Sequence, residues 1–176
     1  TMRVGRGSLI VFAWAMLGAA VMAAVDESGG ELTSDDAYIR WTGDAWVIGT
    51  ASVERTIALA DGRLRLRSFK SKRSGRELIP AGTIVDELPA AVVGAEGEGP
   101  WKLEGAKPSQ LKQGELQLEL TLSRGPLAVT KTYVVYPGTS VIREWLAVRN
   151  AGDRPIRVVE PRFFGVLAGL GAGLEA

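Results

Sequence analysis

Carboxyl groups are the main side chains in this sequence that could do acid–base chemistry, because its 176 residues include no His and no Cys. Two pairs of adjacent acids occur, Asp35-Asp36 and Asp86-Glu87. Neighbouring residues on a strand point to opposite faces, so neither pair can flank one bond as the two carboxylates of a glycosidase do. We interpret both pairs as solvated surface charge.

Glu144 differs from these pairs because it shares one face of a predicted strand with Ile142, Leu146 and Val148. This position predicts a partly buried carboxylate that forms an ion pair with an arginine across the sheet. We therefore assign no catalytic residue. The sequence also lacks a phosphate-binding glycine loop and calcium-ligand spacing, so we expect no cofactor and no metal.

Tryptophan rings are the remaining candidates for ligand contact, since sugar rings stack on exposed indole faces. Trp101 is the best candidate, because it follows a long irregular segment and is predicted to expose its ring to carbohydrate. Placement in the core or at an interface is the alternative, and it is the commoner position for a tryptophan in a sheet. Trp145 is predicted to be structural, because it lies within a strand.

Short strands and tight turns must position these side chains. Leucines alternate with polar residues over 116–122, the period of a strand with one buried face. Asp61-Gly62 predicts a tight hairpin, because both central residues of a type I′ turn need positive φ. Pro137-Gly138 predicts another reversal, between strands at 129–136 and 141–149. With no amphipathic helix evident, the sequence predicts an all-β, antiparallel β-sandwich.

Two further regions carry specific predictions. The segment 77–100 is rich in Gly and Pro and predicts a long loop with one short strand near 84–88. Arg63, Arg65 and Arg67 alternate with leucines, which predicts a solvated outer face whose arginines pair with cross-strand acids such as Glu54. An anion-binding or partner surface is the alternative. Other strands are predicted at 37–41, 46–50, 53–60, 101–104 and 156–159.

The two ends of the chain lie outside the predicted domain at 37–164. Residues 1–23 show the basic, apolar and small-residue order of a signal peptide, and this predicts export to the periplasm or beyond. An uncleaved anchor is the alternative. Residues 24–36 are predicted to be a flexible lead-in. For the tail at 165–176, a native end and the truncated edge of a longer sandwich both stay open.

The charge balance also limits the expected partners. The formal net charge is +1. We therefore expect no nucleic-acid partner and, after signal cleavage, no membrane partner.

Several motifs resemble the N-terminal domain of α-galactosidases of glycoside hydrolase family 36. They are VTKTYVVYPG at 129–138, VRNAGDRPI at 148–156 and IALADGRL at 57–64. The resemblance covers about residues 37–164. It implies a β-supersandwich of the galactose-mutarotase type that precedes a (β/α)8 barrel, whose two catalytic aspartates have no counterpart here.

The resemblance implies a non-catalytic N-terminal domain of an exported α-galactosidase-like glycoside hydrolase. Such a domain would pack on the (β/α)8 barrel of the same parent chain. The alternative is a free-standing carbohydrate-binding or scaffold β-sandwich.

Overall fold

The computed structural model of the chain describes residues 29–88 and 99–156. The described residues contain strands and no helix, and so none that could span a membrane. The predicted signal peptide at 1–23 and the tail at 165–176 lie outside them. The strands are β1 Gly30–Ser34, β2 Ala37–Thr42, β3 Ala45–Gly49, β4 Val53–Ala60, β5 Arg63–Ser71, β6 Arg76–Glu77, β7 Val85–Asp86, β8 Lys102–Gln110, β9 Leu116–Arg124, β10 Leu127–Val135 and β11 Ile142–Asn150.

The strands form two antiparallel sheets. The first has the order β1-β2-β3-β4-β5, and β5 pairs on its far side with both β6 and β7. The second has the order β11-β10-β9-β8. One hydrophobic core unites buried residues of both sheets, as in a sandwich. The predicted all-β antiparallel sandwich is confirmed.

Alternation along β9 builds one half of the core. Leu116, Leu118, Leu120 and Leu122 are fully buried, and the residues between them are partly exposed. Large apolar side chains of the facing sheet complete the core, among them Trp46, Ile48, Ile57 and Leu64. Burial of such side chains is the main favourable contribution to folding, because it removes apolar surface from water.

The predicted hairpin at Asp61-Gly62 is confirmed. Both residues have positive φ, 52° at Asp61 and 66° at Gly62, as a type I′ turn requires. A Cβ at Gly62 would collide with Pro100, so this position needs glycine for space as well as for conformation. The turn at Pro137-Gly138 is also present, with φ of 71° at Gly138.

The first strand lies where the sequence predicts a flexible lead-in. Residues 30–34 form β1 and pair with the whole of β2 except its last residue. Leu32 packs against the core, and Glu31 forms an ion pair with Arg40 at 2.7 Å. The polar, glycine-bearing composition of this segment concealed an edge strand that has one core-facing side chain.

Two other segments differ from expectation or fall partly outside the described residues. The strand predicted at 101–104 is β8, which continues to Gln110 through an irregularity between Leu103 and Gly105. Of the long predicted loop, 89–98 lies outside the described residues, and the short strand expected near 84–88 is present as β7. Ile156 is not in a strand, and 157–159 also lie outside the described residues.

Candidate functional site

A cleft of 240 Å³ opens beside the Asp61-Gly62 hairpin, and Trp101 contributes to its wall. Charged side chains line it as well: Asp61, Arg63, Asp86 and Arg124. The cleft forms because the hairpin, the end of β7 and the start of β8 meet here. Trp101 N donates to Gly62 O at 2.9 Å and thereby holds β8 against the hairpin.

The ring of Trp101 is buried, so the expectation of an exposed indole is wrong. Only 4% of the residue is accessible. The Arg124 guanidinium lies over the ring, 4.5 Å from its centroid, and covers a face on which a sugar could otherwise stack. Burial lowers the pKa of this guanidinium. A contact between Trp101 and carbohydrate stays a prediction, with the cleft as its only described place.

Trp145 is the more exposed indole of the two. It lies on the outer face of β11 with 42% of its surface accessible, and the Arg143 guanidinium stands 5.4 Å from its ring centroid. The expectation that its strand position makes it structural is wrong in this respect. Strand alternation predicts two faces, and β11 leaves the outer one open to solvent.

The acid pair Asp86-Glu87 has one solvated member and one buried member. Asp86 pairs with Arg63 near the surface, at 3.2 Å. The expectation of surface charge is wrong for Glu87, which is 5% exposed between the two sheets. Glu87 N donates to Leu64 O at 2.8 Å, which fixes the chain so that its carboxylate points into the sandwich.

Glu87 belongs to a group of five polar side chains that we call the inter-sheet cluster: Arg55, Glu87, Lys131, Tyr133 and Glu144. Arg55 Nη2 donates to Glu87 Oε1 at 2.7 Å and Oε2 at 2.8 Å. Tyr133 OH donates to Glu87 Oε2 at 2.8 Å. The first sheet thus binds the second through Glu87.

Glu144 completes the inter-sheet cluster from β11. Its Oε2 lies 3.1 Å from Arg55 Nη2 and 3.0 Å from Lys131 Nζ. The predicted ion pair with an arginine is confirmed, although the arginine comes from the opposite sheet. The Glu144 side chain is 15% exposed, against 6% for Arg55, 3% for Lys131 and 1% for Glu87, so the cluster reaches solvent at Glu144.

The electrostatics keep every member of the inter-sheet cluster in one protonation state. Burial lowers the pKa of Arg55, but the Glu87 and Glu144 carboxylates raise it more, so its pKa lies above the ordinary value. Burial and the Glu87 carboxylate raise the pKa of Tyr133 well above the ordinary value. Tyr133 therefore stays a hydrogen-bond donor, and two cations balance two carboxylates.

This arrangement suits structure better than catalysis. Retaining glycosidases need one carboxylate free to attack and one protonated acid to donate. Here Arg55 and Lys131 hold both carboxylates, and no cluster residue lines the cleft. Such a buried ionic group adds specificity to the docking of two sheets at a desolvation cost.

The arginine row on β5 behaves largely as the solvated outer face that the sequence predicts. Arg63 pairs with Asp86 at 3.2 Å and Arg65 with Asp61 at 3.5 Å. The named partner is wrong, because Glu54 accepts a hydrogen bond from Tyr38 OH at 2.7 Å instead. Burial and Glu54 raise the pKa of Tyr38, which keeps it a donor.

Sequence reasoning missed Arg55 and Lys131, yet each carries a readable signal. Arg55 lies between Val53 and Ile57 on the inner face of β4, and Lys131 lies between Val129 and Tyr133 on the inner face of β10. A charge at an apolar position of an alternating strand predicts a buried partner of opposite charge, because an unpaired buried charge is very costly. The sequence cannot say which acid that partner is.

The metal and family comparisons add no assignment. The described parts of the chain contain no group of three or more side chains that could hold a metal ion. No protein-family model matches the chain. No curated protein is significantly similar to it.

Proposed function

We propose that this chain is the non-catalytic N-terminal β-sandwich domain of an exported α-galactosidase-like glycoside hydrolase. In this role it packs on a catalytic (β/α)8 barrel of the same parent chain. The proposal combines the motif resemblance at 57–64, 129–138 and 148–156 with the antiparallel sandwich that such a domain requires.

One observation carries the non-catalytic part of the proposal. Glu87 and Glu144 are brought together on one arginine nitrogen, Arg55 Nη2, and each is neutralised by buried cations. Neither carboxylate is free to attack a sugar, and neither carries a proton to donate. The most closely placed acids of the sandwich interior therefore serve the packing of its sheets.

A free-standing carbohydrate-binding domain is the second candidate, and the cleft beside Trp101 favours it. At 240 Å³ the cleft is smaller than an ordinary small-molecule pocket of about 300–1,000 Å³. It suits a ligand of monosaccharide size. Asp61 and Asp86 at its rim offer hydrogen-bond acceptors for sugar hydroxyls.

The reading frame beyond codon 176 separates the two candidates. An accessory domain predicts that the frame continues into alternating strands and helices with two acidic residues at strand ends, as a barrel glycosidase requires. A frame that stops within a few codons, together with saturable binding of galactose by the purified chain, supports the free-standing candidate and contradicts the proposal.

An activity assay tests the non-catalytic part separately. The purified chain is expected to release no product from an aryl α-galactoside. Glu87→Gln and Glu144→Gln are assayed beside Glu31→Gln, a matched control in the exposed ion pair with Arg40. Turnover that both cluster variants lose and the control keeps would make the cluster an active site.

A further inference from the structure

The two edges of the second sheet are protected to very different degrees. Natural sheets protect free edges with prolines, bulges and lysines, because unpaired backbone groups attract other strands. The β8 edge has all three devices, namely Pro108, the irregularity between Leu103 and Gly105, and Lys102 and Lys107. It is protected against pairing.

The opposite edge, β11, has none of these devices. It extends over nine residues, 142–150, without Pro, Gly or Lys. Its inner face exposes Val148 by 39% and its outer face exposes Trp145 by 42%. Val141, directly before the strand, is 54% exposed. A long, regular strand that is apolar on both faces is suited to pairing with another strand.

The described chain leaves β11 on the side away from this free edge. Ala151 N donates to Pro126 O at 2.6 Å, so the residues after β11 continue along the β10 side. Gly152 lies against Pro126, and a Cβ there would be 2.8 Å from the proline Cβ. Ile156 then packs against the core. The chain up to this residue does not cover the edge.

We propose that the β11 edge pairs with the β11 edge of a second copy of this chain, antiparallel and about a two-fold axis. Two-fold pairing of one strand with itself is the commonest symmetry for like chains, and it extends the four-stranded sheet continuously across both copies. This interface is independent of the proposed accessory function, since it needs only the sandwich and its open edge.

The charges on β11 select the register. Centring the axis on Glu144 would place this carboxylate opposite its own copy, and centring it on Leu146 would place Arg143 opposite the partner's Arg149. Like charges directly opposite each other destabilise a strand pair. Centring the axis on Trp145 places Glu144 opposite the partner's Leu146 and Arg143 opposite the partner's Ala147, with no like-charge pair.

The Trp145 register also brings apolar groups together on both faces. On the outer face the two exposed indoles meet at the axis, where Arg143 already lies beside each ring. On the inner face Ile142 lies opposite the partner's Val148, which covers the exposed valine. This contact is small beside a standard interface of about 1,600 Å², so we expect a dimer that dissociates at micromolar concentrations.

Cysteine crosslinking tests both the dimer and its register, because the chain has no cysteine of its own. In the proposed register the two Cβ atoms at position 145 are about 5 Å apart. Trp145→Cys in the full chain should therefore form a disulfide-linked dimer under mild oxidation. Ala147→Cys places its thiols beyond disulfide reach and should not crosslink. Ile84→Cys, at a side chain that is 69% exposed away from the edge, is the background control.

Sedimentation velocity at increasing protein concentration provides the second measurement. The unmodified chain should show a monomer–dimer equilibrium, and Trp145→Lys should weaken it about 10-fold or more, as loss of a central aromatic does. Ile84→Lys should leave it unchanged. A chain that stays monomeric, or a dimer insensitive to Trp145→Lys, overturns the proposal. Crosslinking through Ala147→Cys in place of Trp145→Cys overturns the register.

Discussion

Asp86 and Glu87 are adjacent acids that make opposite kinds of ion pair. Asp86 meets Arg63 at 3.2 Å with side chains 31% and 53% exposed. Glu87 meets Arg55 at 2.7 Å with side chains 1% and 6% exposed. Water and salt screen the first pair, whereas the second lies where an unpaired charge has no substitute partner. Burial, rather than distance, decides what each pair contributes to stability.

Glu87→Gln should give the largest effect. It leaves Arg55 and Lys131 with one carboxylate between them, and breaking a buried ion pair costs about 3–5 kcal/mol. Asp86→Asn is the matched control, for which we expect about 0–1 kcal/mol. Urea unfolding followed by tryptophan fluorescence measures both, with the midpoint converted at constant m. Equal losses for the two variants would contradict the contrast.

Glu144→Gln should cost less than Glu87→Gln, at about 2 kcal/mol, because its carboxylate reaches solvent and Glu87 still binds Arg55. The two effects should not add, since both carboxylates contact Arg55 Nη2. A double-mutant cycle under the same urea conditions measures this coupling. Strict additivity would mean that the two carboxylates act independently.

Tyr133→Phe removes one hydrogen bond to a buried carboxylate and keeps the ring. We expect a loss of about 1.5 kcal/mol, since Arg55 still satisfies Glu87. The matched comparison is Tyr38→Phe, whose hydroxyl donates to Glu54 on a partly buried outer face at 2.7 Å. A larger loss at Tyr38 than at Tyr133 would reverse the order expected from burial.

Asp36 provides the smallest effect and a dependence on pH. Backbone donation from Gly138 N at 2.6 Å and Ala51 N at 3.0 Å lowers the pKa of Asp36. A carboxyl group whose pKa is lower in the folded state binds fewer protons there than in the unfolded chain. Its stabilisation is therefore present above the ordinary pKa of about 3.9 and is lost as pH falls through the folded pKa.

The measurement for this prediction compares the thermal midpoints of the unmodified chain and Asp36→Asn across acidic pH. The difference should be constant near neutrality and shrink below about pH 4. Asp35→Asn, at the neighbouring acid in the same turn, is the control. A difference that stays constant into strong acid would mean that the ionised Asp36 carboxylate does not stabilise the fold.

Local pattern was enough to predict much of the fold. The alternation at 116–122 predicts the buried face of β9, and Asp61-Gly62 predicts the hairpin, because both depend on residues a few positions apart. The face that Glu144 shares with Ile142 and Leu146 predicts its partial burial and its arginine partner for the same reason. A composition rich in glycine and polar residues misled the prediction at β1, where a single side chain, Leu32, turns to the core.

Only the tertiary structure decided the fate of Glu87 and Trp101. Tyr133 and Glu87 are 46 residues apart in the chain, and they meet because β7 pairs with β5 beneath the second sheet. Trp101 is covered by Arg124 from a strand that folds back beside β8. The period of a strand tells which side chains share a face. Which sheet or side chain lies against that face depends on contacts between distant segments, and no local pattern encodes them.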